Sequence, residues 1–218
     1  MMILATRSAM DIADSPTISD LSVEIGVDID QMALLGGVTR EIVGGRIKAG
    51  NTPHVAYLNG DAIAIAWAAS DLGHLGEFGL SFWLPSEERF LWEFQFLRHG
   101  GPTLYADLLQ QMVLHEDASR FWLAYDPEDA RASAAVTAAG FRDAAKVSYR
   151  PGRGVVLVSA GCPGLAAAAS VITRAPLADL SAAVDQRSGR VLTRQAPQRR
   201  ANAGRAMQLA GLVEVRAL

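Results

Sequence analysis

Asn59-Gly60 sits between two apolar runs, His54-Val-Ala-Tyr-Leu58 and Ala62-Ile-Ala-Ile-Ala-Trp-Ala68. A two-residue connection between antiparallel strands needs φ > 0 at both central residues, and Asn-Gly tolerates that backbone better than almost any other pair. The pair therefore marks a hairpin. Gly79–Leu84 supplies another strand, and Pro85-Ser-Glu-Glu88 turns it into a third. The first half of the chain is expected to form an antiparallel meander.

The next stretch changes character. Arg89-Phe-Leu-Trp-Glu-Phe-Gln-Phe-Leu97 alternates and is rich in aromatics, as expected of a strand half-buried on each face. Arg98-His-Gly-Gly-Pro-Thr103 cannot continue it, because two glycines and a proline are poor strand-interior residues. A helix follows, with Leu104, Leu108, Leu109, Met112 and Val113 at helical spacing and Pro102 near its start, where the missing N–H is harmless. Strand, Gly-rich turn and helix together aim backbone N–H groups at an anion, often a phosphate.

Flanking segments follow the same rules. Ile3–Thr6 is a candidate first strand, and residues 15–30 are poorly defined. Asp30 is expected to cap a helix carrying Met32, Leu34, Leu35, Val38, Ile42 and Val43, with Arg40, Arg46 and Lys48 outside and Gly36-Gly37 and Gly44-Gly45 weakening it. Arg120–Tyr125 is a strand. Asp126-Pro-Glu-Asp129 opens an alanine-rich helix that ends at Gly140, in the left-handed conformation glycine tolerates. Ala144–Tyr149 and Val155–Ser159 form a last strand pair.

Composition limits the function classes. Half of the 218 residues are hydrophobic and 20% are charged, a globular balance. The single cysteine, Cys162, excludes an internal disulfide framework, and no run is long and apolar enough to span a bilayer, so a cytoplasmic soluble protein is expected. No metal-ligand spacing is visible among His54, His74, His99 and His115, and Cys162 has no identifiable catalytic partner. Residues 1–160 hold 12 Lys/Arg against 20 Asp/Glu, a net of −8, whereas residues 161–218 hold 8 Arg against 3 acids, a net of +5. The basic tail lacks aromatic residues to stack on bases, so no nucleic-acid partner is expected.

The order of elements resembles the GNAT superfamily of acyl-CoA-dependent N-acyltransferases over residues 1–160. Val55–Ala69 looks like that family's second and third strands. Phe90–Gln110 looks like its fourth strand, pyrophosphate loop and following helix. Phe121–Phe141, with Ala139-Gly140-Phe141 at its end, looks like its next strand, helix and Gly-Phe. The resemblance implies an α/β (α+β) fold with a mixed, mostly antiparallel sheet flanked by helices. It also implies a gap between two central strands that holds acetyl-CoA or another acyl-CoA. The diphosphate would lie on backbone N–H groups at a helix N-terminus, and an acid would take the proton of an amine that attacks the thioester.

The match implies site residues and also breaks the family pattern. The cofactor would be held by Phe96, Leu97, Arg98, His99, Gly100, Gly101, Thr103 and Leu104, with Asp129 on the later helix. The family's Arg/Gln-x-x-Gly-x-Gly/Ala loop fits in either of two registers, and imperfectly in both: one starts at Gly100, the other at Arg98. Counting back from Gly140, Asp129 stands where the family has asparagine, Ala132 where it has serine and Val136 where it has the tyrosine that protonates the thiolate. Glu93, among Trp92, Phe94 and Phe96, is the expected base, with Glu87 and Glu88 as looser candidates. Tyr105 and Tyr125 are the expected replacements for the missing acid.

The tail echoes the body. Gly189–Pro197, an alanine-rich helix and Ala210-Gly211-Leu212 repeat the order of Ser119–Pro127, helix and Ala139-Gly140-Phe141. Residues 161–218 are therefore expected to be a shortened second copy docked on residues 1–160 or on a second chain, as in a homodimer. The expected activity is transfer of an acyl group, acetyl in the first instance, to a small-molecule amine. The alternative is a degenerate binding or partner subunit.

Overall fold

The computed structural model describes residues 1–11, 18–78, 80–97, 101–150, 154–159, 180–185, 190–195 and 212–216. It divides into two compact units. One comprises Ala5–Gly73 and Leu84–Arg142; the other comprises Met1–Leu4, His74–Trp83 and Asp143–Leu218.

The first unit is built on β1 (Met2–Ser8, from residue 5), β2 (Leu21–Ile25), β3 (Asn51–Leu58), β4 (Asp61–Ala69), β7 (Glu88–Phe96) and β8 (Arg120–Tyr125), in the spatial order β1-β8-β7-β4-β3-β2. Strands β2, β3, β4 and β7 pair antiparallel, and β7 and β8 pair parallel. This is the mixed, mostly antiparallel sheet expected from the sequence. The hairpin turns at Asn59 and Gly60, with φ of 53° and 85°.

Among the described residues, four helices accompany the sheet: α1 (Ile29–Gly36), α2 (Arg40–Lys48), α3 (Pro102–His115) and α4 (Ala130–Ala138). The single early helix expected from residue 30 is two. Gly37, with φ of 61°, ends α1 after its first glycine pair. Asp28, rather than Asp30, is the cap: its Oδ1 accepts from the amides of Asp30 at 2.9 Å and Gln31 at 3.2 Å. Met32, Ala33, Leu35 and Val43 from these helices pack on Val55, Ile65 and Trp67 of the sheet. Strand β4 makes this possible by alternation. Ile65 and Trp67 fill that face, while the buried Ala64, Ala66 and Ala68 stand on the other. At α4, Gly140 takes φ of 79° and the Phe141 amide returns to the Val136 carbonyl at 3.1 Å, the ending expected from Gly-Phe.

In the second unit β9 (Arg142–Arg150) pairs antiparallel with β10 (Gly154–Ser159). Strand β10 runs parallel to β13 (Leu212–Arg216), and β12 (Arg190–Gln195) joins β13 to β11 (Leu180–Asp185) through antiparallel pairings. Strands β5 (Leu72–Leu75) and β6 (Leu80–Trp83) form a separate two-stranded sheet. The tail helices of the expected second copy, like Cys162 and the turn at Pro151-Gly152, lie outside the described residues.

Candidate active site

The parallel ladder of β7 and β8 is short. It pairs Glu88 with Arg120, Arg89 with Phe121, Phe90 with Trp122 and Leu91 with Leu123, and then stops. Among the described residues, β7 continues beyond Leu91 to Phe96 bonded only to β4, and β8 continues to Tyr125. The two strands separate there, and the β8-facing edge of Trp92–Phe96 has no strand partner among the described residues. Unpaired backbone groups in a cleft are available to a ligand.

A β-bulge lies at the same point. Strand β4 keeps one residue between Ile65 and Trp67, while β7 keeps two between their partners Gln95 and Trp92. The extra residue is Glu93, with φ of 50°, a left-handed backbone that costs a non-glycine residue about 1 kcal/mol or more. The bulge changes which side chains share a face. Simple alternation puts Trp92, Phe94 and Phe96 together and Glu93 opposite. Instead Trp92 and Glu93 both lie on the α1/α2 face, while Phe94 and Phe96 lie on the α3 face, against Tyr105 at 4.9 and 5.8 Å between ring centroids. Of the expected aromatic surroundings of Glu93, therefore, only Trp92 shares its face.

Glu93 is engaged. Its Oε2 lies 2.6 Å from Nη2 of Arg46, with the two side chains 19% and 18% exposed. The Arg46 guanidinium lies 5.2 Å from the Trp67 ring and 4.9 Å from the Trp92 ring, and the rings lie 6.3 Å apart. Asn51 ties this cluster together, accepting the Trp92 indole N–H at 3.2 Å and donating to the Arg46 carbonyl at 3.0 Å. The sequence pattern puts Arg46 on the outer face of its helix. One signal spoke otherwise: Arg46 follows the fully buried Val43 by three positions, on the same helical face, whereas Ile42 and Ile47 are exposed.

Helix α3 opens beside the separated strands. Gly101 precedes it with no side-chain cap, Pro102 takes the first position, and the amides of Leu104 and Tyr105 reach the Gly101 carbonyl at 3.1 and 3.3 Å. Gly101 and Thr103 are exposed and Leu104 is half-buried. Arg98, His99 and Gly100 lie outside the described residues. Phe96 is half-buried and Leu97 is exposed, its amide held by the Ile63 carbonyl at 2.9 Å. Burial pushes the Tyr105 hydroxyl well above its ordinary value of 10.0, and the charge of Asp129 adds to the shift. Asp129 itself caps α4, accepting from the amides of Arg131 at 2.9 Å and Ala132 at 3.1 Å. Tyr125 is buried at the end of β8, and Val136 is buried inside α4.

A second polar cluster lies elsewhere in the unit. Fully buried His54 meets Oε1 of Glu116 through Nε2 at 2.8 Å, and Oε2 of Glu116 accepts from Nε of Arg89 at 2.9 Å. Burial pushes the Glu116 carboxyl up, but hydrogen bonds and charge from His54 and Arg89 outweigh it and hold it below 4.5. Among the described residues no three His, Cys, Asp or Glu side chains gather to hold a metal, and no helix is long and apolar enough to cross a membrane.

An antiparallel meander leads into a bulged strand, a parallel partner that diverges from it, and a helix opening beside the gap. This is the mixed, mostly antiparallel sheet flanked by helices that the sequence leads one to expect. No family model matches the sequence, and no curated protein matches it. Solved structures similar to this chain include a GCN5-related N-acetyltransferase from Kribbella flavida, at 12% identity and a TM-score of 0.46, over 65% of this chain and 53% of that one. Another is aminoglycoside acetyltransferase AAC(6')-Ib in complex with coenzyme A, at 18% identity and a TM-score of 0.45, over 60% of this chain and 88% of that one. A third is a GNAT-family acetyltransferase from Colwellia psychrerythraea, at 13% identity and a TM-score of 0.44, over 66% of this chain and 52% of that one. The chain thus spans about half the length of the Kribbella and Colwellia proteins.

Proposed function

We propose that the first unit transfers an acyl group from acyl-coenzyme A to an amine of a small molecule. The reading rests on one observation: the β7–β8 ladder ends at Leu91 and Leu123, beside the uncapped N-terminus of α3. A thioester arm lying in that gap meets the unpaired edge of Trp92–Phe96, while its diphosphate meets the amides of Gly101 and Thr103 beside Leu104; Arg98, His99 and Gly100, outside the described residues, are further candidates for that role.

In this reading Glu93 takes the proton of the attacking ammonium. The amine nitrogen bonds to the thioester carbonyl carbon, backbone N–H groups of β7 stabilise the oxyanion, and the C–S bond breaks. The departing thiolate takes a proton from Tyr105, which stands against Phe94 and Phe96, and the second proton that the nitrogen sheds as the amide forms restores the Tyr105 hydroxyl, whose raised pKa disfavours a lasting phenolate. Tyr125, at the end of β8, is the second candidate for that donor. The position where the family carries its tyrosine is Val136, which has no proton to give.

A second reading is favoured by the Arg46–Glu93 contact, which occupies the carboxylate that would otherwise receive the proton of the amine. That reading is a GNAT-like binding subunit without transfer. Calorimetry with acetyl-CoA, followed by free-thiol release with a panel of amines, separates the two. Binding with thiol release supports transfer. Binding without release supports the binding subunit. No heat at about millimolar acetyl-CoA removes the transferase reading.

A further inference from the structure

The cluster around Arg46 holds polar capacity that the fold itself does not use. Among the described residues, Nη1 of Arg46 and Nε1 of Trp67 are buried donors with no hydrogen-bond partner, and Oε2 of Glu93 has the 2.6 Å charge contact but no aligned hydrogen bond. A buried polar group left unpaired costs about 1–3 kcal/mol. Two such donors, Arg46 Nη1 on α2 and Trp67 Nε1 on β4, flank the Glu93 carboxylate on β7, and a polar ligand would satisfy them.

The charges decide the kind of partner. A plain amine would satisfy Glu93 but bring a second cation against Arg46. A plain carboxylate would satisfy Arg46 but bring a second anion against Glu93. Each singly charged ligand meets one member of the pair and is repelled by the other. A ligand carrying both charges on neighbouring atoms meets both. Its carboxylate takes the guanidinium, whose fork geometry suits a carboxylate, and its ammonium takes Glu93. Trp67 and Trp92 wall the guanidinium with apolar surface, which strengthens such contacts by excluding water.

We propose that the acceptor is an α-amino acid, bound through its carboxylate to Arg46 and through its amino group to Glu93. This names the acceptor of the transferase reading and, as an acceptor assignment, rests on it. It also removes the difficulty of a neutralised base. When the substrate carboxylate takes over Arg46, Glu93 is released toward the ammonium whose proton must be removed before attack.

The test is calorimetric and uses the full chain without acyl-CoA. Each standard L-amino acid is titrated, then the best binder is compared with its amide, which lacks the carboxylate charge, and its N-acetyl derivative, which lacks the ammonium. The expected result is binding of at least one amino acid, with both derivatives weaker by about tenfold or more. Arg46→Gln is expected to erase the difference between acid and amide, and Glu93→Gln the difference between free and acetylated amine. Arg46→Lys, which keeps a cation, is expected to retain part of the first difference. The proposal is overturned if no amino acid binds at about 10 mM, if the amide binds as well as the acid, or if Arg46→Gln leaves their ratio unchanged. The ligand comparison on the unaltered chain decides the matter even where a variant does not fold. Amino-acid binding by a chain that binds no acetyl-CoA keeps this site and removes the transferase reading. Thiol release with simple amines but no amino-acid binding does the reverse.

Discussion

Arg46 of α2 and Glu93 of β7 meet at 2.6 Å because a single extra residue in β7 turns Glu93 to the face where α2 lies. Without the bulge the two side chains would stand on opposite sides of the sheet. The ion pair and the end of the β7–β8 ladder lie within two residues of each other along β7. The extra residue breaks the regular β4 ladder just past the point where β8 also leaves β7.

The backbone at Glu93 can be tested apart from its charge. Glu93→Ala and Glu93→Gly both remove the carboxylate, but only glycine takes φ of 50° without a Cβ clash. The glycine variant is expected to be more stable than the alanine variant by about 1 kcal/mol in urea unfolding. Equal stability would mean that the left-handed conformation is not kept.

The ion pair is expected to behave as a coupled unit. Arg46→Gln leaves Glu93 without its charge partner in a mostly buried site, at an expected cost of about 1–3 kcal/mol. Glu93→Gln is expected to cost a similar amount. The double variant should cost less than the sum of the two, as measured by urea midpoints in a double-mutant cycle. Strict additivity would place the two side chains out of contact.

The His54–Glu116–Arg89 cluster makes stability depend on acid. Glu116 is depressed below its ordinary 4.5 in the folded chain, so the unfolded chain binds its proton first as pH falls. Its contribution is fully present above about 4.5 and is lost as pH falls through the lower folded value. Urea midpoints taken from about pH 7 to about pH 3 should fall more steeply for the native chain than for Glu116→Gln. The variant should start lower at neutral pH, because buried His54 and Arg89 lose a charged acceptor.

Tyr105→Phe removes one hydroxyl and keeps the ring against Phe94 and Phe96. The expected outcome is a kcat lower by about a hundredfold with acetyl-CoA affinity nearly unchanged, measured by thiol release and calorimetry. An unchanged kcat would pass the proton-donor role to Tyr125 or to water.

Much of the fold was legible because its determinants are local. Asn59-Gly60 made its hairpin, Pro102 opened α3 and Gly140 ended α4, each through the backbone preferences of one or two residues. Strand β2 was missed: Leu21–Ile25 is short and alternating, but its polar flanks hid it until β3 supplied the pairing. The aromatic strand pattern points to Glu93 but not to its surroundings, and the helical pattern puts Arg46 on the outer face.

The sequence by itself determined the order of strands and helices, their turns and their apolar faces, since these depend on side-chain periods and φ preferences within a few neighbours. Only the tertiary structure decided which face Glu93 occupies and that Arg46 meets it. A bulge exists only in the register between two paired strands, and here one residue of mismatch between β4 and β7 reassigns the faces of Glu93, Phe94 and Phe96.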